Sequence, residues 1–194
     1  MGKCITLANI DQALSCADMD NMGGLAPRLI YGYWNDVDVW PTVPAGTELA
    51  PIALDAAGVL TGDLVMKAGT SAYQMDFTDE TGELKISDQG ETGGESYLYD
   101  LSIVLAKARK QIFGFENATK GRKMFFIVQD NNGTYYLMGD KRNGAKKVSG
   151  DGSTTGTKAT DLNKNSLHYT YNALRKLTYA GDVETLLTVV PVTP

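Results

Sequence analysis

Met124-Phe125-Phe126-Ile127-Val128-Gln129-Asp130-Asn131-Asn132-Gly133-Thr134-Tyr135-Tyr136-Leu137-Met138 decides the fold class. The stretch opens on a strongly apolar run, breaks at Asp130-Asn131-Asn132-Gly133, and returns on aromatic and apolar side chains. Asn and Gly tolerate the left-handed backbone that a tight reversal requires, so two antiparallel strands joined by a hairpin are expected.

Upstream, Tyr73, Met75 and Phe77 alternate with Ala72, Gln74 and Asp76, the period of a strand with one wet face. Asp79-Glu80-Thr81-Gly82 reads as the turn, with Leu84 and Ile86 alternating on a return strand, so a second hairpin is expected. Beyond the break at Gly90-Glu91-Thr92-Gly93-Gly94, Tyr97, Leu101, Val104, Leu105, Ala108 and Ile112 recur at three- and four-residue intervals. Asp100 lies early and Lys107, Arg109 and Lys110 late, as a helix dipole prefers. A helix over about 96–113 is expected, with Gly114 as its stop.

Downstream of the hairpin, residues 139–165 are rich in Gly, Ser, Thr, Asn and Lys and read as a long exposed loop. Leu167, Tyr169 and Tyr171 alternate as a further strand, and 185–190 is expected to form the last one. Near the start, residues 29–34 read as a strand bent at Gly32. Residues 36–44, with Trp40-Pro41 and Val43-Pro44, read as an irregular arm, because proline offers no ladder donor. The expected architecture is therefore mainly β: a sandwich or open barrel flanked by one helix, since a lone amphipathic helix needs a sheet to cover its stripe. Residues 1–46 form an N-terminal arm and first strand, and 47–194 the sandwich, as parts of a single domain.

A chain of 194 residues buries about two-thirds of its unfolded surface and needs no metal or disulfide to fold. No apolar run approaches the ~20 residues of a membrane span, and the acidic N-terminus lacks the pattern of a signal peptide, so a soluble protein is expected. Met1-Gly2 with Thr6 makes only a short match to a myristoylation pattern. Cys4 and Cys16 are too few for a disulfide scaffold and favour a reducing compartment. The net charge of −5 argues against a surface devoted to gripping phosphates.

Few residues invite chemistry. His168 is the sole histidine and reads as a polar strand residue; a site of three histidines is impossible within one chain. Residues 18–29 begin like a calcium loop, but Met22 and Leu29 stand where ligands are required. Gly90–Gly94 lacks the Gly-Lys-Ser/Thr ending of a phosphate loop, and Glu91 and Glu95 would repel an anion. No catalytic residue, cofactor or metal is expected. The cluster Lys141, Arg142, Lys146 and Lys147 and the rings of Tyr31, Tyr33, Trp34 and Trp40 remain as candidate subunit-interface residues.

The order of these features, from the 73–86 hairpin through Gly93-Gly94 and the helix to Phe125–Gly139, then Thr154-Thr155-Gly156 and the Leu167 strand, resembles the tail tube proteins of long-tailed bacteriophages over roughly residues 65–175. The resemblance implies a virion structural subunit. Copies would close into a hexameric ring whose inner sheets form a continuous barrel, and rings would stack into a tube passing DNA. Its partners would be itself, other tail or connector proteins, and DNA transiently and without specificity in the lumen, with no membrane and no cofactor. Assembly would take place in the bacterial cytoplasm. The proline- and tryptophan-rich N-terminal region departs from the compact members and leaves open a head-tail connector, tail terminator or capsid-associated role. A carbohydrate- or surface-binding sandwich, using Trp34 and Trp40, is the alternative of another class.

Overall fold

The computed structural model describes residues 4–10, 21–150 and 152–188; Cys16, the Asp18–Asp20 part of the calcium-loop comparison and the end of the expected last strand lie outside them. Among the described residues the chain forms fifteen strands and one α-helix. The N-terminal half contains β1 (Ile5–Thr6), β2 (Leu25–Tyr33), β3 (Val37–Val39), β4 (Ile52–Ala53), β5 (Val59–Leu60), β6 (Val65–Met66), β7 (Tyr73–Asp76) and β8 (Glu83–Gln89). Then follow β9 (Ser96–Ala106), α1 (Lys110–Thr119), β10 (Met124–Asp130), β11 (Tyr135–Met138), β12 (Lys146–Lys147), β13 (Gly152–Thr154), β14 (Lys164–Ala173) and β15 (Thr178–Tyr179).

The fold is mainly β, and the described residues form one helix and two principal sheets without a closed barrel. The first sheet runs β5-β15-β11-β10-β2-β7; the second runs β12-β14-β9-β8, with β13 also paired to β14. Tyr99, Leu101, Ile103 and Leu105 of β9 and Leu167, Tyr169 and Tyr171 of β14 face Leu29, Phe126 and Val128 of the first sheet in one core. Phe126 and Tyr169 meet across it with ring centroids 4.5 Å apart. On the far side of the first sheet, Ile30, Phe125, Ile127 and Leu137 are covered by Val37, Leu64, Met66 and Leu186. Met124 to Val128 are thus all buried, which is why that run shows no alternation. Each such side chain contributes about 1.5–3 kcal/mol by leaving water.

The 124–138 hairpin forms as the sequence requires, Phe126 pairing with Met138 and Gln129 with Tyr135 around the Asp130–Gly133 turn. The strand expected around Leu167 is the middle of β14. Other expectations are corrected. Residues 96–106 of the expected helix form a strand, with Tyr99, Leu101, Ile103 and Leu105 inside and alternate residues half-exposed. Ten register pairs with β14, from Lys164–Ala106 to Ala173–Tyr97, hold it extended. The helix lies further on, at Lys110–Thr119, with Gly114 inside it and Lys120 as its cap. The basic residues Arg109 and Lys110 stand at its start, against the dipole preference.

β7 and β8 do not form a hairpin. β7 pairs with β2 and β8 with β9, so the turn between them, with Glu80 at φ 56°, carries the chain from one sheet to the other. The polar stretch 139–165 is not a plain loop, because β12 and β13 within it pair with β14. Residues 36–44 are not a free arm, since β3 pairs with β6 and Val37 is buried. Around the expected final strand, Thr185–Leu187 forms a 3-10 turn. Gly32 of β2 makes room for its neighbour, because a Cβ there would lie 2.6 Å from the Phe125 ring.

Candidate functional site

The first site residues lie where β2 ends and β10 begins. After Tyr33 the chain turns through Trp34–Asp36, and the Trp34 amide donates to the Lys123 carbonyl at 3.1 Å. The indole Nε1 of Trp34 donates to the Asp140 carbonyl at 2.7 Å. Trp40 stands edge-on to Phe125 at 6.2 Å and 6.3 Å from Trp34. Gly144 permits this seat, since a Cβ there would come within 2.8 Å of both Trp34 and the Met124 carbonyl.

Asp140 shapes the opposite wall. Its carboxylate accepts from the amides of Arg142 and Asn143, each at 2.7 Å, and pairs with the Arg142 guanidinium at 3.0 Å. That arrangement fixes the 140–143 turn beyond β11, with the Lys141 ammonium exposed at its tip. Between the walls runs an open groove of about 810 Å³. Val39, Val43 and Leu174 line it and stay 49%, 40% and 56% exposed, apolar side chains left in water. Lys67 and Arg175 complete the rim, bonded to the carbonyls of Asn35 and Pro44. The groove continues past Trp34 into a second hollow, where Lys123 lies over the Trp34 ring at 5.1 Å and Arg122 over Tyr33 at 5.2 Å.

The eight sequence-derived candidates therefore separate. Trp34, Trp40, Lys141 and Arg142 come together in the groove, although about a hundred residues divide the two pairs. Tyr31 packs edge-on to Phe115 of α1 at 5.1 Å, and burial, followed by its neighbours Tyr73 and Tyr33, pushes its phenol up. Tyr33 donates weakly to the Ala118 carbonyl at 3.4 Å. Lys147 pairs with Glu116 of α1, whereas Lys146 stands exposed on β12. Lys67, Leu174 and Arg175 also line the groove, although nothing in their local sequence links them to the tryptophans.

His168 sits on the solvated face of β14. Its Nε2 meets the Asp100 carboxylate and its Nδ1 the Ser149 carbonyl at 3.2 Å, so both ring nitrogens are engaged. Among the described residues no three His, Cys, Asp or Glu side chains converge as a metal site, and no helix is long and apolar enough to cross a membrane. The groove therefore combines an apolar floor, anchored indoles and a cationic rim. Compared with protein-family models, curated proteins and solved structures, the chain finds no match.

Proposed function

We propose that the chain is a virion structural subunit of the kind that builds a phage tail tube, its copies closing into a hexameric ring and the rings stacking around a channel for DNA. The observation that carries this reading is the asymmetry of the two sheets. The first sheet is covered on both faces. Among the described residues the second keeps one largely polar face uncovered and ends in edges without a further partner, β8 on one side and the short β12 and β13 on the other. Open edges offer unpaired backbone donors and acceptors, and a ring that continues the sheet from subunit to subunit uses them.

The wet face supports a channel wall. Cross-strand register places Glu83 with Ser102, Lys85 with Asp100 and Thr170 with Lys146 on it. Carboxylates and ammonium groups nearly balance there, a surface that neither grips a phosphate backbone nor strongly repels it. Mass photometry and negative-stain microscopy of the purified full chain test the reading. Rings or tubes are expected. A strictly monomeric species at high concentration, indifferent to salt, overturns it, and rings that never stack would favour a terminator or connector instead.

A further inference from the structure

We infer that the Trp34–Trp40 groove receives the acidic end of a second copy of this chain, so that subunits join head to tail along the strand axis. This deepens the proposed assembly and rests on it. Two observations carry the inference, one at each end of β10.

At the N-terminal end of β10, the groove and its continuation gather six cations against three carboxylates, in a chain whose totals are 18 and 23. The excess of positive charge is local and runs against the sign of the whole molecule. Val39, Val43 and Leu174 leave an apolar floor between these cations. Exposed aliphatic side chains ringed by charge suit a protein partner better than a nucleic acid, whose bases would need free aromatic faces.

At the other end of β10, roughly 20 Å away at about 3.3 Å per residue, the charge reverses. The crossover between β7 and β8 carries Asp79 and Glu80 and leads into Glu83, with no Lys or Arg from 77 to 84; Asp76, at the end of β7, lies opposite Arg28, which is itself paired with Glu184. Glu83 and Asp130 share a hollow of about 380 Å³ that no cation among the described residues lines. Met22, 64% exposed and tied by its amide to Asn132 at 2.9 Å, stands at this hollow. An apolar residue flanked by carboxylates is the complement of an apolar floor flanked by cations. Because the two patches differ and lie at opposite ends, the contact is heterologous and propagates instead of closing as a dimer.

The test uses the full chain and charge exchange. Lys141→Glu with Arg142→Glu, and separately Glu80→Lys with Glu83→Lys, are each expected to weaken stacking about tenfold or more, since like charges then face each other. A mixture of the two variants should restore it. Leu174→Asp, which touches no carboxylate, should also weaken stacking while leaving the melting temperature unchanged. Carbodiimide cross-linking of mixed light- and heavy-isotope protein should join Lys141 of one copy to Glu80 or Glu83 of another. Rings that persist unstacked in the variants support both readings. Tubes unaffected by either charge reversal, with no such cross-link, overturn the docking contact and leave the ring assembly standing. A wild-type chain that neither rings nor stacks overturns both. DNA oligonucleotides that quench the wild-type tryptophans but not those of the Lys141→Glu, Arg142→Glu variant, without the cross-link, assign the groove to nucleic acid.

Discussion

Asn165, fully buried on β14, donates its side-chain amide to Glu116 Oε2 at 2.9 Å, and Lys147 of β12 reaches the other oxygen of the same carboxylate. One carboxylate thus ties α1 to two strands of the second sheet. Burial alone would raise the Glu116 carboxyl, but the hydrogen bonds from Lys147 and Asn165, with the lysine charge, outweigh it and hold the group below its ordinary value.

A depressed carboxyl favours the folded state above the ordinary glutamate value, and that contribution is lost as pH falls through the lower folded value. Urea midpoints followed from neutral to acid pH should therefore drop more steeply for the native chain than for Glu116→Gln. At neutral pH, Glu116→Ala should cost about 1–3 kcal/mol, because the buried Asn165 amide loses its acceptor. Equal acid sensitivity in the native chain and the Gln variant would rule this account out.

Tyr169 makes the opposite case. Burial pushes its phenol up to about 12 and outweighs the opposing effect of the Thr119 hydroxyl beside it. Its hydroxyl makes no hydrogen bond of good geometry. Tyr169→Phe should change stability by less than about 1 kcal/mol at neutral pH, since no partner is orphaned. A raised group gives stability that is complete below the unfolded value of about 10 and is lost as pH rises toward the folded one. The Phe variant should accordingly resist alkaline denaturation better than the native chain, as circular dichroism between those limits can record.

Gly32→Ala tests the close approach of β2 to β10. The added methyl would stand 2.6 Å from the Phe125 ring, and overpacking of this kind costs about 1–3 kcal/mol. A lowered melting temperature is expected; Gly58→Ala, where no atom lies within 4 Å of the new Cβ, serves as the control.

Trp34→Phe keeps most of the apolar contact and removes the indole donor to the Asp140 carbonyl. A loss of about 1 kcal/mol is expected. Faster hydrogen exchange should be confined to the 140–143 turn. Protection unchanged in that turn would mean that Asp140 and its own amide bonds suffice to hold it.

The 124–138 hairpin was legible because its signals are local, a turn tetrad between two apolar runs. The 96–106 strand was not, because that segment carries two periods at once. Tyr97, Leu101, Val104 and Leu105 fit a helical face, and Tyr99, Leu101, Ile103 and Leu105 fit a strand. The choice is made by β14, whose matching alternation lies some sixty residues later. The 73–86 segment failed for a related reason: alternation marks a strand but carries no information about which sheet it joins. At the groove, the tryptophans and the 141–142 cations were each visible as types. Their meeting was not, since it follows from the antiparallel pairing of β10 with both β2 and β11, and Leu174 and Arg175 arrive from the end of β14.

The pairing of β9 with β14 also sets a schedule for synthesis. The ribosome must add about 58 residues between Ala106 and Lys164, roughly 3–12 s at 5–20 residues per second. Throughout that interval Tyr99, Leu101, Ile103 and Leu105 have β8 on one flank and no strand on the other. The nascent chain is therefore most open to chaperones, and to neighbours on the same messenger, in the seconds before β14 emerges.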